Sequence, residues 1–99
     1  MNLIIGKNDS GKTRQLIKQS LDTGIPIFVL YEGKAESLRA KALTYFGESL
    51  FVVTPQDFTS GTYSGEILID DLEKAFTQLL AAYLATPNFD IITATVTED

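Results

Sequence analysis

Eight consecutive residues, Gly6-Lys7-Asn8-Asp9-Ser10-Gly11-Lys12-Thr13, carry the spacing Gly-x-x-x-x-Gly-Lys-Thr. A glycine at each tight bend lets successive backbone N–H groups turn inward around an anion with no Cβ in the way, so the stretch reads as a nest for phosphate. A helix beginning at Gly11 or Lys12 adds its unpaired N–H groups and the positive end of its dipole. In that setting the Lys12 ammonium reaches the β- and γ-phosphates of a nucleoside triphosphate, and the Thr13 hydroxyl holds a Mg²⁺ that bridges them. Asp9 is the awkward member, because a carboxylate aimed into the nest repels phosphate, and it is expected to point outward.

A second constellation lies downstream. Ile67-Leu68-Ile69-Asp70-Asp71 is an apolar strand that delivers two carboxylates at its C-terminal end, where parallel sheets gather their ligands. Asp70 suits a Mg²⁺ position, bound through water in the metal's shell, and Asp71 stands where a general base orients an attacking water. Adjacent acids opening a helix are also what capping and the helix dipole favour, so the pair has a structural reading beside the chemical one.

The elements that must position these residues follow from periodicity. Asn2-Leu3-Ile4-Ile5 reads as a short buried strand ended by Gly6, and Leu16, Ile17 and Leu21 mark the apolar side of a helix that Gly24 stops. Ile25 to Tyr31 is a second strand, with Pro26 tolerable only at its beginning. Ala35, Leu38, Ala42, Leu43 and Phe46 recur at helical intervals up to Gly47. Leu50 to Val53 and Ile67 to Ile69 are two more strands. Between them Thr54-Pro55-Gln56-Asp57 starts a short helix, with Thr as N-cap, and residues 60–65 form a mobile loop. Leu72, Phe76, Leu79, Leu80 and Tyr83 predict an amphipathic helix closed by Pro87, before a last strand from Phe89 to Val96. This alternation implies one α/β domain over residues 1–99: a five-stranded, mainly parallel sheet with helices on both faces, in three layers.

Composition narrows the chemistry. The chain of 99 residues has no Cys and no His, which excludes disulfides, thiol or imidazole nucleophiles and the usual zinc sites, so any metal sits on oxygen. The apolar run at Met1 to Ile5 is too short for a signal peptide and no stretch approaches the ~20 residues that span a bilayer, so a cytoplasmic protein without membrane contact is expected. A net charge of −5 argues against a large nucleic-acid footprint. Up to Lys41 there are seven basic and four acidic residues, and from Ala42 onward Lys74 is the only base against nine acids. This asymmetry is either two solvated faces of opposite sign or a surface for a second copy or a partner.

With both motifs in view, the sequence resembles the P-loop NTPases: Gly6 to Thr13 matches the Walker A motif and Ile67 to Asp71 the Walker B. Their order resembles the first RecA-like domain of superfamily-two helicases, where Val53-Thr54-Pro55 sits at a nucleic-acid-contacting Thr-Pro motif. Thr93-Ala94-Thr95 is similar to the Ser/Thr-Ala-Thr motif that couples hydrolysis to movement. As a whole the chain looks most like the very small P-loop proteins encoded among the accessory genes of bacteriophages and their hosts. A second RecA-like domain is not expected within these 99 residues, whose only arginines are Arg14 and Arg39. Arg14 is expected to point along its helix and Arg39 to lie outside the site. The resemblance therefore implies binding of ATP or another nucleoside triphosphate with Mg²⁺, and slow or partner-dependent hydrolysis in which Asp71 serves as base. The alternative from another class is a non-catalytic interaction module that keeps the fold as a scaffold.

Overall fold

The computed structural model describes residues 1–8, 10–85 and 89–98, and the side chains of 78 and 80–85 lie outside that description. The elements in chain order are β1 (Asn2–Gly6), α1 (Lys12–Thr23), β2 (Ile27–Phe28), α2 (Glu32–Phe46), β3 (Val52–Val53), α3 (Pro55–Thr59), β4 (Gly65–Ile69), α4 (Leu72–Ala85) and β5 (Phe89–Thr97). The five strands form one parallel sheet in the order β1-β5-β4-β2-β3.

Alternation along the strands sorts the apolar side chains into two cores. Ile27, Val29, Val52 and Leu68 face α1 and α2, packing with Leu16, Ile17, Leu38 and Ala42. Phe28, Val53, Ile67 and Ile69 face the other way, onto Phe58 of α3 and onto Ala75 and Leu79 of α4. The expected three layers are thus present, with each covered strand buried on both faces.

Local sequence sets the helix ends. Gly24 and Gly47 both adopt the left-handed conformation that ends α1 and α2, their N–H groups returning to Ser20 O at 2.8 Å and Leu43 O at 2.9 Å. Thr54 caps α3 as its sequence predicts, its backbone N–H donating to the Asp57 carboxylate at 2.7 Å.

The structure corrects several expectations. β1 is an edge strand, and Leu3 and Ile5 on one of its faces are 47% and 56% exposed while Ile4 on the other packs inward. β2 and β3 are shorter than their apolar runs, and Phe51 is exposed. On α2, Leu43 faces solvent; on α4, Ala75 and Leu79 take the core side and Phe76, about 100° around the helix, is 59% exposed. The segment 60–65 is tied to the core by Tyr63, whose ring meets Phe51 and Phe58 at 5.6 and 6.0 Å and whose hydroxyl donates to Glu66 O at 2.6 Å. Pro87 as the stop of α4 lies outside the described residues. Among the described residues no helix is long and apolar enough to cross a membrane.

Candidate functional site

The glycine loop joins the end of β1 to the start of α1, at the edge of the sheet where β4 and β5 also end. Gly6 lets the loop close tightly: a Cβ there would come within 2.6 Å of Ser10 Oγ, and that hydroxyl would have to rotate away. Gly11 stands at the N-cap of α1 with φ of 87°, the left-handed region open to glycine. Lys7, Asn8 and Ser10 are exposed along the loop, with Ser10 N–H donating to Lys7 O at 3.3 Å, while Asp9 and its expected outward aim lie outside the described residues.

Lys12 is folded onto the loop and not held out in solvent. It is 8% exposed, and its ammonium donates to Lys7 O at 2.6 Å across the mouth of the loop. An extended side chain from the first residue of a helix, bent back over the loop it follows, places its charge among the loop's backbone groups.

Next to it, Thr13 Oγ1 donates to the two oxygens of Asp70 at 3.2 and 3.3 Å, joining residues 57 positions apart. Asp70 is buried at the end of β4. Its direction is set by Thr95, whose hydroxyl donates to Asp70 Oδ1 at 2.7 Å and accepts from Asp71 N–H at 2.8 Å. A β-bulge makes this meeting: Ile67 pairs with Ile91 but Leu68 with Thr93, so Ile92 is the extra residue and Asp70 falls opposite Thr95 rather than Ala94. Thr93 takes the Gln19 amide at 2.9 Å and so links β5 to α1.

Asp71 precedes α4 with φ of 58°, a left-handed conformation that costs a non-glycine residue about 1–2 kcal/mol. The carboxylate turns toward Thr97, whose hydroxyl donates at 3.4 Å, and toward Lys34. Lys34 Nζ lies 3.0 Å from Asp70 Oδ2 and 3.6 Å from Asp71 Oδ2. Burial opposes the charged form of Lys34, yet the hydrogen bond and charge of Asp70, with the charge of Asp71, outweigh it and raise the ammonium's pKa above its ordinary value.

A cleft of about 440 Å³ opens above these groups, lined by Lys12, Thr13, Arg14, Lys34, Lys41 and Tyr45 together with Asp71. Four cations against one carboxylate give this cleft a net positive lining. A smaller crevice of about 150 Å³ shares Lys34 and Asp71 and runs between the ends of β2 and β4. There the helices after the two strands leave toward opposite faces, which is the switch point where open α/β sheets bind ligands.

Arg14 stacks over Tyr45 and Phe46, 5.1 and 5.6 Å from the ring centroids, and Arg39 pairs with Glu32 at 2.7 Å, away from both clefts. Thr54 is committed to capping α3. Among the described residues no three His, Cys, Asp or Glu side chains cluster as metal ligands. The oxygen set at the end of β4 is one hydroxyl and two carboxylates, which suits Mg²⁺, an ion that keeps most of its own water. The Lys34 ammonium stands on those same oxygens as a cation would.

Sequence reasoning missed Lys34 and the role of Thr95. Lys34 did leave a signal: it sits in the first turn of α2, where the helix dipole disfavours a cation, directly after a strand end. Comparison with family models, with curated proteins and with solved structures returns no match.

Proposed function

We propose that this chain binds a nucleoside triphosphate, ATP in the first instance, with Mg²⁺, as a minimal protein of the P-loop NTPase type. The observation that carries this reading is the contact of Thr13 with Asp70, which brings the end of the glycine loop and the end of the second motif to one point beside the buried Lys12. Triphosphate would lie on the loop N–H groups with Lys12 turned from Lys7 O to the phosphates, and Thr13 and Asp70 would hold Mg²⁺, which supplies charge neutralisation between the phosphates. The cleft above is of the size in which small ligands bind. A cytoplasmic location, where Mg²⁺ and ATP abound, goes with this reading.

Hydrolysis is the secondary part of the proposal. Asp71, at the rim of the cleft, would orient the attacking water, and turnover by the isolated chain would be slow, because Arg39 pairs with Glu32 away from the cleft and Arg14, though it lines the cleft, is held over the rings of Tyr45 and Phe46. A guanidinium supplied to such a site by a second copy or a partner is worth about 10³–10⁵ in rate.

Calorimetric titration with ATP and GTP, with and without Mg²⁺, tests the reading. Saturable binding is expected in the wild type, and Lys12→Ala should remove it, measured well below the variant's melting temperature because Lys12 is buried. Equal affinity in a folded Lys12→Ala protein would refute the site. A second reading, a scaffold for a protein partner, is favoured by the open edge of β1 with Leu3 and Ile5 exposed. It predicts partner binding that is indifferent to nucleotide and to Lys12→Ala.

A further inference from the structure

We propose that Lys34 is a built-in counter-ion of the acid pair: it holds the divalent-cation position beside Thr13, Asp70 and Asp71, and passes to the terminal phosphate when a divalent ion takes that position. The second half of this proposal rests on the nucleotide-binding reading; the first does not.

Geometry comes first. The ammonium is 3.0 Å from Asp70 Oδ2 and 3.6 Å from Asp71 Oδ2, and the Thr13 hydroxyl meets the same Asp70 carboxylate at 3.2 Å. A cation thus stands on Asp70, which with Thr13 would ligate Mg²⁺, and beside Asp71. Electrostatics make a cation there necessary. The Asp70 side chain is 1% exposed and its neighbour in sequence is a second carboxylate, so removal of the counter-charge leaves a buried charge uncompensated.

Among the described residues Lys34 is the cation in ion-pair contact with Asp70 and Asp71, although Lys74 also lines the crevice and Lys41 the larger cleft. Lys12 donates to Lys7 O, Arg14 stacks on Tyr45 and Phe46, and Arg39 pairs with Glu32. Lys34 is also free to move. It projects from the first turn of α2, is 27% exposed, and lines the larger cleft and the crevice alike, so its flexible stem can swing from the carboxylates into the cleft without disturbing either core. An ammonium is a point charge with rotatable donors, and it can leave a carboxylate for a phosphate oxygen at little geometric cost.

Two consequences follow. A divalent ion must compete with Lys34, so the wild type binds such ions weakly in the absence of nucleotide. Lys34 also neutralises carboxylates that would repel a triphosphate, so it supports nucleotide binding when no metal is present.

The first experiment uses Mn²⁺ as probe, followed by its electron paramagnetic resonance signal, on the full chain without nucleotide. Lys34→Gln should bind Mn²⁺ about tenfold or more tightly than the wild type, and adding Asp70→Asn should abolish that gain. Lys34→Arg, which keeps the charge should Lys34→Gln not fold, should bind Mn²⁺ as weakly as the wild type and far more weakly than a variant with the charge removed by Lys34→Met. Unchanged or weaker Mn²⁺ binding after loss of the charge would overturn the counter-ion. The second experiment titrates ATP. Lys34→Gln should lose about tenfold in affinity in EDTA, where the bare acid pair then repels the triphosphate, and should lose affinity in saturating Mg²⁺ as well, where the contact with the terminal phosphate is gone. No loss in Mg²⁺ would overturn the transfer to phosphate, whereas a gain in Mn²⁺ affinity with no ATP binding by any variant would leave the counter-ion standing and refute the nucleotide reading.

Discussion

A hydroxyl that donates and accepts at once fixes two neighbours, and Thr95 does this for both acids. It is fully buried, donating to Asp70 Oδ1 and accepting from Asp71 N–H. Thr95→Val keeps the shape but strands that N–H and takes from Asp70 Oδ1 the shorter of its two hydrogen bonds, at a cost of about 1–3 kcal/mol, which lowers the melting temperature by about 4–8 °C per kcal/mol in a domain of this size. Thr95→Ser should stay close to the wild type, and a thermal melt of the two variants decides; a Val variant as stable as the Ser variant would mean the hydroxyl orients nothing. Asp71 offers a backbone test. Asp71→Gly and Asp71→Ala both remove the carboxylate, but only Ala retains the penalty of the left-handed conformation, so the Gly variant should be more stable by about 1–2 kcal/mol in urea denaturation. Equal stabilities would argue against that backbone conformation.

Single residues act here because the elements deliver them together. β5 lies between β1 and β4, so the loop after β1 and the acids after β4 are two strands apart, and the Thr13 side chain bridges the gap. The glycines that end α1 and α2, the capping box of α3 and the apolar strand from Ile67 to Ile69 were all legible, because each depends on neighbours along the chain. Strand order was not legible. The run at the N-terminus reads as buried on both faces, yet β1 stands at the edge, and no local rule distinguishes the two. The bulge at Ile92 was equally hidden, since it appears only when β5 pairs with β4. The glycine loop could be read from its types and spacing, whereas the Lys34 ion pair required two helix and strand ends to meet across the sheet. The edge position yields a prediction by contrast: Ile5→Lys should change stability by no more than about 0.5 kcal/mol, while Leu68→Ala, in the core against α1 and α2, should cost about 2–5 kcal/mol. Chemical denaturation of the pair measures both, and a collapse of the Ile5→Lys variant would move β1 back into the interior.

Across the whole molecule, the uneven charge of the two halves has a use within the chain. Lys34 comes from the basic half and Asp70 and Asp71 from the acidic half, and parallel crossovers bring the start of α2 and the end of β4 to the same side of the sheet. At this point the asymmetry is an internal ion pair. The pairing leaves a mark on the pH dependence of stability. Lys34 holds its proton more tightly than its ordinary value of 10.5, with burial opposing and the two carboxylates prevailing. Tyr63 rises above its ordinary 10.0 through burial and then the charge of Glu66. In both cases the unfolded chain gives up its proton first as pH rises, so above about pH 10 it binds fewer protons than the folded chain and stability must fall with pH. The contribution of the two groups is therefore complete below about pH 10 and is lost as pH climbs through their folded values. Urea midpoints measured in EDTA from about pH 8 to about pH 11.5 should stay level in this contribution and then decline. Lys34→Met should start lower and decline less steeply, and Tyr63→Phe should remove a smaller part of the slope. If Lys34→Met follows the wild-type curve in parallel through the alkaline range, the ammonium is not bound to the acid pair in solution.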